Sequence, residues 1–220
     1  MTQPSNTLLA KLPRKVLREI SPHLEPVVLT VGQALQPVLE HTGAVHFPLE
    51  CVLSVLVTLE DTRSLEVALV GNEGLVGYPL LAATGLAFPS TVQTGGAALR
   101  IGGGELRTAL RRQPALQAVF HDYGVSLMAQ IASNAGCNHF HVLESRLARR
   151  LLMTRERLKS DTFRVTQEFL SSLLAVRRVG ISKAASSLQR QGIIEYHRGQ
   201  ITILDRRGLV AASCACARHW

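Results

Sequence analysis

The period of the hydrophobic positions changes twice along the chain. Over 5–22, Leu8, Leu9, Leu12, Leu17 and Ile20 recur at helical spacing, Ser5 and Asn6 can cap, and Pro13 sits near a helix start. This stretch is expected to be helical. Residues 26–101 break instead into short runs rich in Val and Leu: PVVLTV, AVHFPL, CVLSVLVTL, LEVALV, STVQT and ALRI. Gly32, Gly43, Asp61, Gly71, Asn72, Gly74, Gly85, Gly95 and Gly96 punctuate them. Short strands at such spacing with glycine turns predict an antiparallel sandwich or barrel. In 51–59, Val52, Ser54, Leu56 and Thr58 alternate with Leu53, Val55 and Val57, a strand largely buried on both faces.

After Gly102–Gly104 the helical period returns. Residues 105–112 make one short helix, and Pro114 can open the next. From Leu116 the residues Leu116, Phe120, Tyr123, Leu127, Ile131 and Asn134 step by 4, 3, 4, 4 and 3. That is one stripe on a long helix, close to a coiled-coil seam. The stripe can pack on the neighbouring barrel, or it can meet a second subunit. A helix of roughly 30 residues is about 45 Å long, more than a small barrel needs. The six residues are therefore expected to form the seam of a homodimer, with Asn134 and Asn138 helping to fix its register.

The last third reads as a compact helical unit ending in a hairpin. Leu147, Leu151 and Leu152 mark the inner face of a helix over 146–158, with Arg146, Arg149, Arg150, Arg155 and Arg157 mostly outward. Thr166 can cap a second helix whose apolar face is Phe169, Leu170, Leu173 and Leu174. A third helix runs to Gln191 and ends at Gly192, and IIEYHRGQITILD reads as two strands around a turn at Arg198-Gly199.

Composition narrows the class. With 220 residues, 46% hydrophobic and 18% charged, the chain can bury a core and is not disordered. No apolar run reaches the roughly 18 residues of a membrane span, and the N-terminus lacks the layout of a secretory signal. Four cysteines, Cys51, Cys137, Cys214 and Cys216, are too few for a disulfide framework at this length. A soluble cytoplasmic protein with reduced thiols, acting away from membranes, is expected. The net charge of +8 is unevenly spread. Residues 1–141 hold 9 Lys/Arg and 10 Asp/Glu, whereas residues 142–220 hold 15 and 6. A basic segment on a neutral body suits a polyanion, because neutralising phosphates releases counterions.

The segment TQEFLSSLLAVRRVGISKAASSLQRQGII has the layout of a helix-turn-helix. Ala175 is the small residue of the turn, and Val176, Ile181 and Leu188 anchor the second helix on the first. Arg177, Arg178, Ser182, Lys183 and Ser186 are left on an outward face near the second helix's N-terminus, the end that enters the major groove in this motif. Arginine can read guanine in bidentate fashion, and Ser and Lys can contact base or phosphate. Thr166 and Gln167, at the start of the first helix, and His197, Arg198 and Gln200, in the hairpin, are expected beside the DNA backbone. No Gly-rich phosphate loop before Lys-Ser/Thr, no Gly-x-Ser-x-Gly elbow and no His-Glu-x-x-His is present, so an enzyme is not expected.

LLAKLP, AVHFPLECVLSVLV, GNEGLVGYPLL, ESRLARRLLMTRERL and the helix-turn-helix segment extended to ILD together resemble the Crp/Fnr superfamily of bacterial transcription regulators. The resemblance covers nearly the whole chain and implies an α+β fold. Its parts would be an N-terminal antiparallel β-roll of the cyclic-nucleotide-binding, jelly-roll type (1–112), a dimerisation helix and hinge (113–145) and a C-terminal winged helix-turn-helix (146–220). It further implies a homodimer on a two-fold symmetric duplex site, RNA polymerase as a partner, and a small effector that resets the two recognition helices about Val142–Ser145. The family's recognition helix commonly begins Arg-Glu-Thr-Val-Ser-Arg; here Arg178-Val179-Gly180-Ile181-Ser182-Lys183 stands there, so a different operator is expected. Gly180 inside a helix costs about 1 kcal/mol against Ala, which suits close packing or close approach to DNA.

Cyclic-nucleotide members carry a Gly-Glu-Leu run and an Arg-Ser-Ala run in one phosphate-binding cassette. Here Gly77-Tyr78-Pro79 and Pro89-Ser90-Thr91 take those places, without the acid and without the arginine. Gly77, Tyr78, Pro89, Ser90 and Thr91 are thus candidates for a degenerate effector pocket. A buried phosphate with no cation is costly, which argues against cyclic AMP. The first cysteine is Cys51, which argues against an N-terminal iron–sulfur sensor. His121, Tyr123, Cys137, His139 and His141 leave haem ligation open, although no spacing singles one out. Cys137 and His141 form an i, i+4 pair suited to a metal or a redox switch, but a polar patch at the helix end is the simpler expectation. A frayed tail is likewise the simpler reading of Cys214-Ala-Cys216. No metal and no cofactor are expected. The competing class is a ligand-binding or protein-interaction module whose winged helix, weakened by Val179 and Gly180, no longer reads DNA.

Overall fold

A computed structural model describes residues 6–35, 43–58, 64–77 and 88–218. The chain forms two compact units, one of residues 1–56 and 70–128, the other of residues 57–69 and 129–220.

The first unit opens with two helices where the periodicity suggested one. α1 (Thr7–Ala10) and α2 (Arg14–Ile20) are separated by a break at Lys11–Pro13, because Pro13 has no N–H to continue the first helix and instead stands at the N-cap of the second. Asn6 is fully buried, and each polar group of its side chain is used. Oδ1 accepts from the Leu9 amide at 3.0 Å, and Nδ2 donates to the Pro48 and Gly74 carbonyls, each at 2.9 Å. One capping side chain thereby fixes the entry helix to two turns of the sheet region.

The strands are β1 (Glu25–Leu29), β2 (Ala34–Leu35), β3 (Ala44–Pro48), β4 (Val52–Thr58), β5 (Ser64–Val70), β6 (Ser90–Thr94) and β7 (Gly96–Gly102). β7 lies between β1 and β3, antiparallel to both, with Val27 opposite Ala98 and Val45 opposite Ile101. β6 pairs antiparallel with β2 and with β4, where Leu53 faces Val92 and a register shift follows Val52. Every residue of β3 is buried, and so are Val52–Val55 of β4, as the two-faced hydrophobic run required. Leu8, Leu9, Ile20, Val45, Phe47 and Ile101 form the core. α3 (Gly103–Arg112) adds Leu106, and the start of α4 (Pro114–Phe140) adds Leu116 and Phe120.

In the second unit α5 (Leu143–Leu158) follows a break at Val142, whose backbone is extended. After it come β8 (Thr162–Arg164), α6 (Gln167–Leu173), α7 (Arg178–Arg190), β9 (Ile194–His197), β10 (Gln200–Ile203) and α8 (Arg206–Ala212). β10 is the middle strand of the sheet β8-β10-β9, so the expected two-stranded wing has a third strand. Arg198 and Gly199 have φ of 46° and 79°, the paired positive values of a type I′ hairpin turn. Leu147, Leu151, Phe163, Ile181, Leu188, Ile201 and Leu209 close the core.

Two of the arginines expected outward on α5 are buried. Arg149 Nη1 donates to Asn134 Oδ1 at 2.6 Å. Arg150 meets Glu66 of β5 as a fork, Nε 2.7 Å from Oε1 and Nη2 2.8 Å from Oε2. Sequence periodicity could not supply these partners, which arrive from β5 and the end of α4. No helix among the described residues is long and apolar enough to cross a membrane.

Candidate nucleic-acid interface

α7 is amphipathic in a way that separates packing from presentation. Ile181, Ala184, Ala185 and Leu188 are buried, while Arg178, Val179, Lys183 and Ser186 are exposed and Ser182 is half-buried. Arg177 is the exposed N-cap residue and makes no side-chain capping bond, so the first amides of α7 are left for another acceptor. No acidic residue occupies that first turn. An anion near it would meet the positive end of the helix dipole together with Arg177 and Arg178.

The turn before α7 is held by an unusual residue choice. Ala175 adopts a left-handed backbone (φ 51°), which costs an L-residue roughly 1–2 kcal/mol. Gly180 has a packing reason: a Cβ there would lie 2.9 Å from Leu143 Cδ2. The missing side chain lets α7 approach the start of α5, so Gly180 faces inward while its neighbour Val179 is 60% exposed.

Thr166 caps α6, its Oγ1 accepting from the Phe169 amide at 3.1 Å, and Gln167 follows at the first helical position. Arg198 is exposed at the tip of the β9–β10 turn. Tyr196 anchors the hairpin through a 2.7 Å bond from its hydroxyl to the Val165 carbonyl, and burial raises its phenol above the ordinary range, against the Arg178 charge. Arg164 of β8 is also exposed. The sequence reading missed it because a strand before α6 has no signal beyond three residues.

The candidate dimer seam lies against the chain's own interior. Leu116 and Phe120 belong to the first unit's core, with Phe120 tilted on Phe47 at 6.3 Å between ring centroids. The Tyr123 hydroxyl donates to the Leu75 carbonyl at 2.7 Å, Leu127 is buried and Ile131 is half-buried. Asn134 donates to the Val67 carbonyl, also at 2.7 Å. Leu116, Phe120, Tyr123, Leu127, Ile131 and Asn134, expected at a seam between subunits, are thus buried or half-buried within the chain itself. A stripe stepping by three and four records burial and not what does the burying. A different stripe of α4 is exposed along its whole length: His121, Val125, Met128, Ala132, Ala135 and His139.

Of the effector-pocket candidates, Tyr78 lies outside the described residues. Gly77 has φ +90°, and a Cβ there would collide with the Ala44 carbonyl oxygen, so this glycine is set by the backbone. Pro89 is half-buried, Ser90 is buried with Oγ unpartnered among the described residues, and Thr91 Oγ1 is 3.5 Å from the Gln33 carbonyl oxygen. Arg100, the nearest candidate cation in sequence, pairs at 2.8 Å with Glu25 across β7 and β1, both partly exposed. Near it, burial first and the Arg100 charge second hold His46 down to about 4.

Cys214 is buried and not frayed. It meets Cys137, and Cys216 meets His141, although the two pairs are more than seventy residues apart. Burial, with Cys137 and Cys216 beside it, pushes the Cys214 thiol up to about 12. His121 is exposed elsewhere on α4, so the haem candidates do not converge as a set.

No curated protein sequence matches the chain. Among solved structures, it is similar to a Eubacterium rectale protein assigned to the Crp/Fnr family of transcriptional regulators (15% identity, 96% of this chain and 99% of that one, TM-score 0.71). It is similar also to FixK2 of Bradyrhizobium japonicum (15%, 87% and 98%, TM-score 0.72). A third is CLP, the c-di-GMP responsive global regulator of Xanthomonas campestris (12%, 88% and 100%, TM-score 0.68). At such identities the likeness is one of fold. Residues 145–212 match the family model described as the Crp-like helix-turn-helix domain. That span runs from the third residue of α5 to the end of α8 and contains the basic face of α7, so the chain carries a segment similar to the Crp-like helix-turn-helix domain within a fold like that of the Crp/Fnr transcriptional regulators.

Proposed function

We propose that this chain is a homodimeric regulator of transcription that reads a two-fold symmetric duplex through α7. The observation that carries the reading is the division of α7. Ile181 and Leu188 are spent on the core, while Arg177, Arg178, Ser182, Lys183 and Ser186 remain for a ligand. Arg178, Ser182 and Lys183 are the base readers. Thr166, Gln167 and Arg198, joined by Arg164, contact the flanking phosphates and set the register. Because Val179 replaces the acidic residue of the common family pattern, no carboxylate accepts from a cytosine amino group at that position.

The dimer forms through the exposed stripe of α4. Val125 and Met128, 49% and 50% exposed, supply its apolar centre, and Ala132 and Ala135 allow the helices to come close. The effector pocket of the first unit does not take cyclic AMP. Pro89, Ser90 and Thr91 offer no cation to a phosphate, and Arg100 is engaged with Glu25. Coupling to the DNA-binding helices runs through β5. There Glu66, Val67 and Leu69 bond to Arg150, Asn134 and Gln130. An effector acts only so far as it binds two arrangements of these contacts with different affinity.

Selection of duplexes from a random library by the purified chain near physiological salt tests the reading. Enrichment of an inverted repeat with half-sites about one helical turn apart is the expected result. Salt-sensitive binding without any enriched sequence, in the presence and absence of cell-extract metabolites, would instead identify a basic surface that no longer reads bases.

A further inference from the structure

We infer that Cys137, His141, Cys214 and Cys216 form a binding site for one thiophilic divalent cation of the zinc class. Their ligand atoms all lie within 4.8 Å of one another. Cys137 Sγ is 3.4 Å from Cys214 Sγ, and Cys216 Sγ is 3.7 Å from His141 Nδ1. Metal–sulfur bonds of about 2.3 Å and metal–nitrogen bonds of about 2.0 Å put the ligand atoms of a tetrahedral zinc ion roughly 3.5–3.8 Å apart. Two edges of the tetrahedron therefore already have nearly the right length. The longest edge needs to close by about 1 Å, within the reach of thiol rotamers.

The donor set selects the ion. Three thiolates and an imidazole are soft and borderline ligands, and no carboxylate or carbonyl joins them, so calcium and magnesium are not served. Four protein ligands fill a tetrahedron and leave no position for water, the arrangement of a structural site. The fold supplies the ligands from two places. Cys137 and His141 are one turn apart at the end of α4, and Cys214 and Cys216 bracket Ala215 in the segment after α8. The ion would hold that segment on α4, next to the extended Val142 where α4 gives way to α5.

The charge balance is also provided for. Binding converts three thiols to thiolates and releases three protons, giving a site of net charge −1 with Zn²⁺ and neutral histidine. Arg146 lies close enough to Cys137 and Cys214 to interact with both charges. It is tied by Nη2 to Asn138 Oδ1 at 2.8 Å and to the Leu174 carbonyl at 2.7 Å, while its buried Nε has no partner among the described residues. A half-buried guanidinium beside neutral Cys137 and Cys214 gains little from them; beside a zinc tris-thiolate its charge is matched.

The test uses the full chain, reduced, stripped of metal by a chelator and kept anaerobic. Titration with Co²⁺ should saturate at one equivalent, with the intense visible bands and sulfur charge-transfer band of a tetrahedral thiolate site. Zn²⁺ should displace the cobalt, with three protons released per ion. Cys137→Ser and Cys214→Ser should each lower Zn²⁺ affinity by about 100-fold or more, since changes to groups merely supporting a ligand cost 10–100-fold. Cys51→Ser, whose thiol lies in the other compact unit, should leave affinity unchanged. Alkylation of wild-type thiols with and without Zn²⁺ gives a reading that needs no variant: Cys137, Cys214 and Cys216 should react more slowly with the ion, while buried Cys51 should react no differently. The inference is overturned if the reduced wild type shows no saturable thiolate–cobalt band and no protection, which would leave a thiol pair suited only to disulfide exchange. It is overturned equally if the band survives in both cysteine variants.

Discussion

Replacing Glu66 by Gln should destabilise the chain by about 3–5 kcal/mol, the cost of breaking a buried ion pair from one side. The side chains of Arg150 and Glu66 are 4% and 6% exposed, with contacts at 2.7 and 2.8 Å from Nε and Nη2 to the two carboxylate oxygens. With an effective dielectric near 20, charges about 4 Å apart attract by about 4 kcal/mol, which agrees with that range. Arg150 cannot escape by losing its proton: burial lowers its guanidinium pKa, and the Glu66 charge works against that shift. Glutamine keeps the shape but turns one acceptor into a donor, so one arm of the fork would meet another N–H. The double replacement Glu66→Leu with Arg150→Met removes both desolvation costs and should fall within about 1–2 kcal/mol of the wild type, or above it. Urea unfolding followed by circular dichroism at fixed protein concentration measures all three, since a dimer's stability depends on concentration. A loss below about 1 kcal/mol for Glu66→Gln would mean the pair is screened like a surface one. A double variant as unstable as Glu66→Gln would mean that packing, not charge, carries the effect.

Arg178→Ala should weaken binding to the selected duplex by about 1–3 kcal/mol and relax one base position, measured by fluorescence anisotropy on specific and random DNA. Equal loss on both would make Arg178 a phosphate contact. Val125→Asp should weaken the dimer by more than tenfold in sedimentation equilibrium while leaving the far-ultraviolet dichroism intact, because a charge would be buried twice across a two-fold axis. Leu127→Asp should instead unfold the chain; a folded monomer from Leu127→Asp and an unchanged dimer from Val125→Asp would restore the other stripe. Stability should fall as the pH is lowered from 7 through 6.5 towards 4. Over that window the unfolded chain takes up a proton that neutral, buried His46 refuses until about 4. The loss from this residue is at most about 3 kcal/mol, and His46→Phe should flatten the pH profile measured by thermal unfolding.

The sequence by itself determined the alternation of helical and strand-rich stretches and the chemistry of the basic third. Local signals sufficed where the partner of a residue lies nearby in the chain. Thr166 caps its own helix, Arg198-Gly199 turns its own hairpin, and Ile181 and Leu188 mark the buried face of α7 by period alone. Tertiary structure decided every question that depended on a distant partner. The stripe from Leu116 to Asn134 was visible, but only the fold reveals that Phe47, Leu75 and Val67 meet it, leaving Val125 and Met128 outside. Arg149 and Arg150 look solvated on a helical wheel and are buried, because Asn134 and Glu66 come to them across 15 and 84 residues. The two halves of the cysteine–histidine cluster are each unremarkable in sequence, since i, i+4 and x-Cys spacings fix only local geometry. Long-range packing alone brought four soft ligands to one point. Periodicity reports that a side chain is covered, whereas what covers it is set by chain topology.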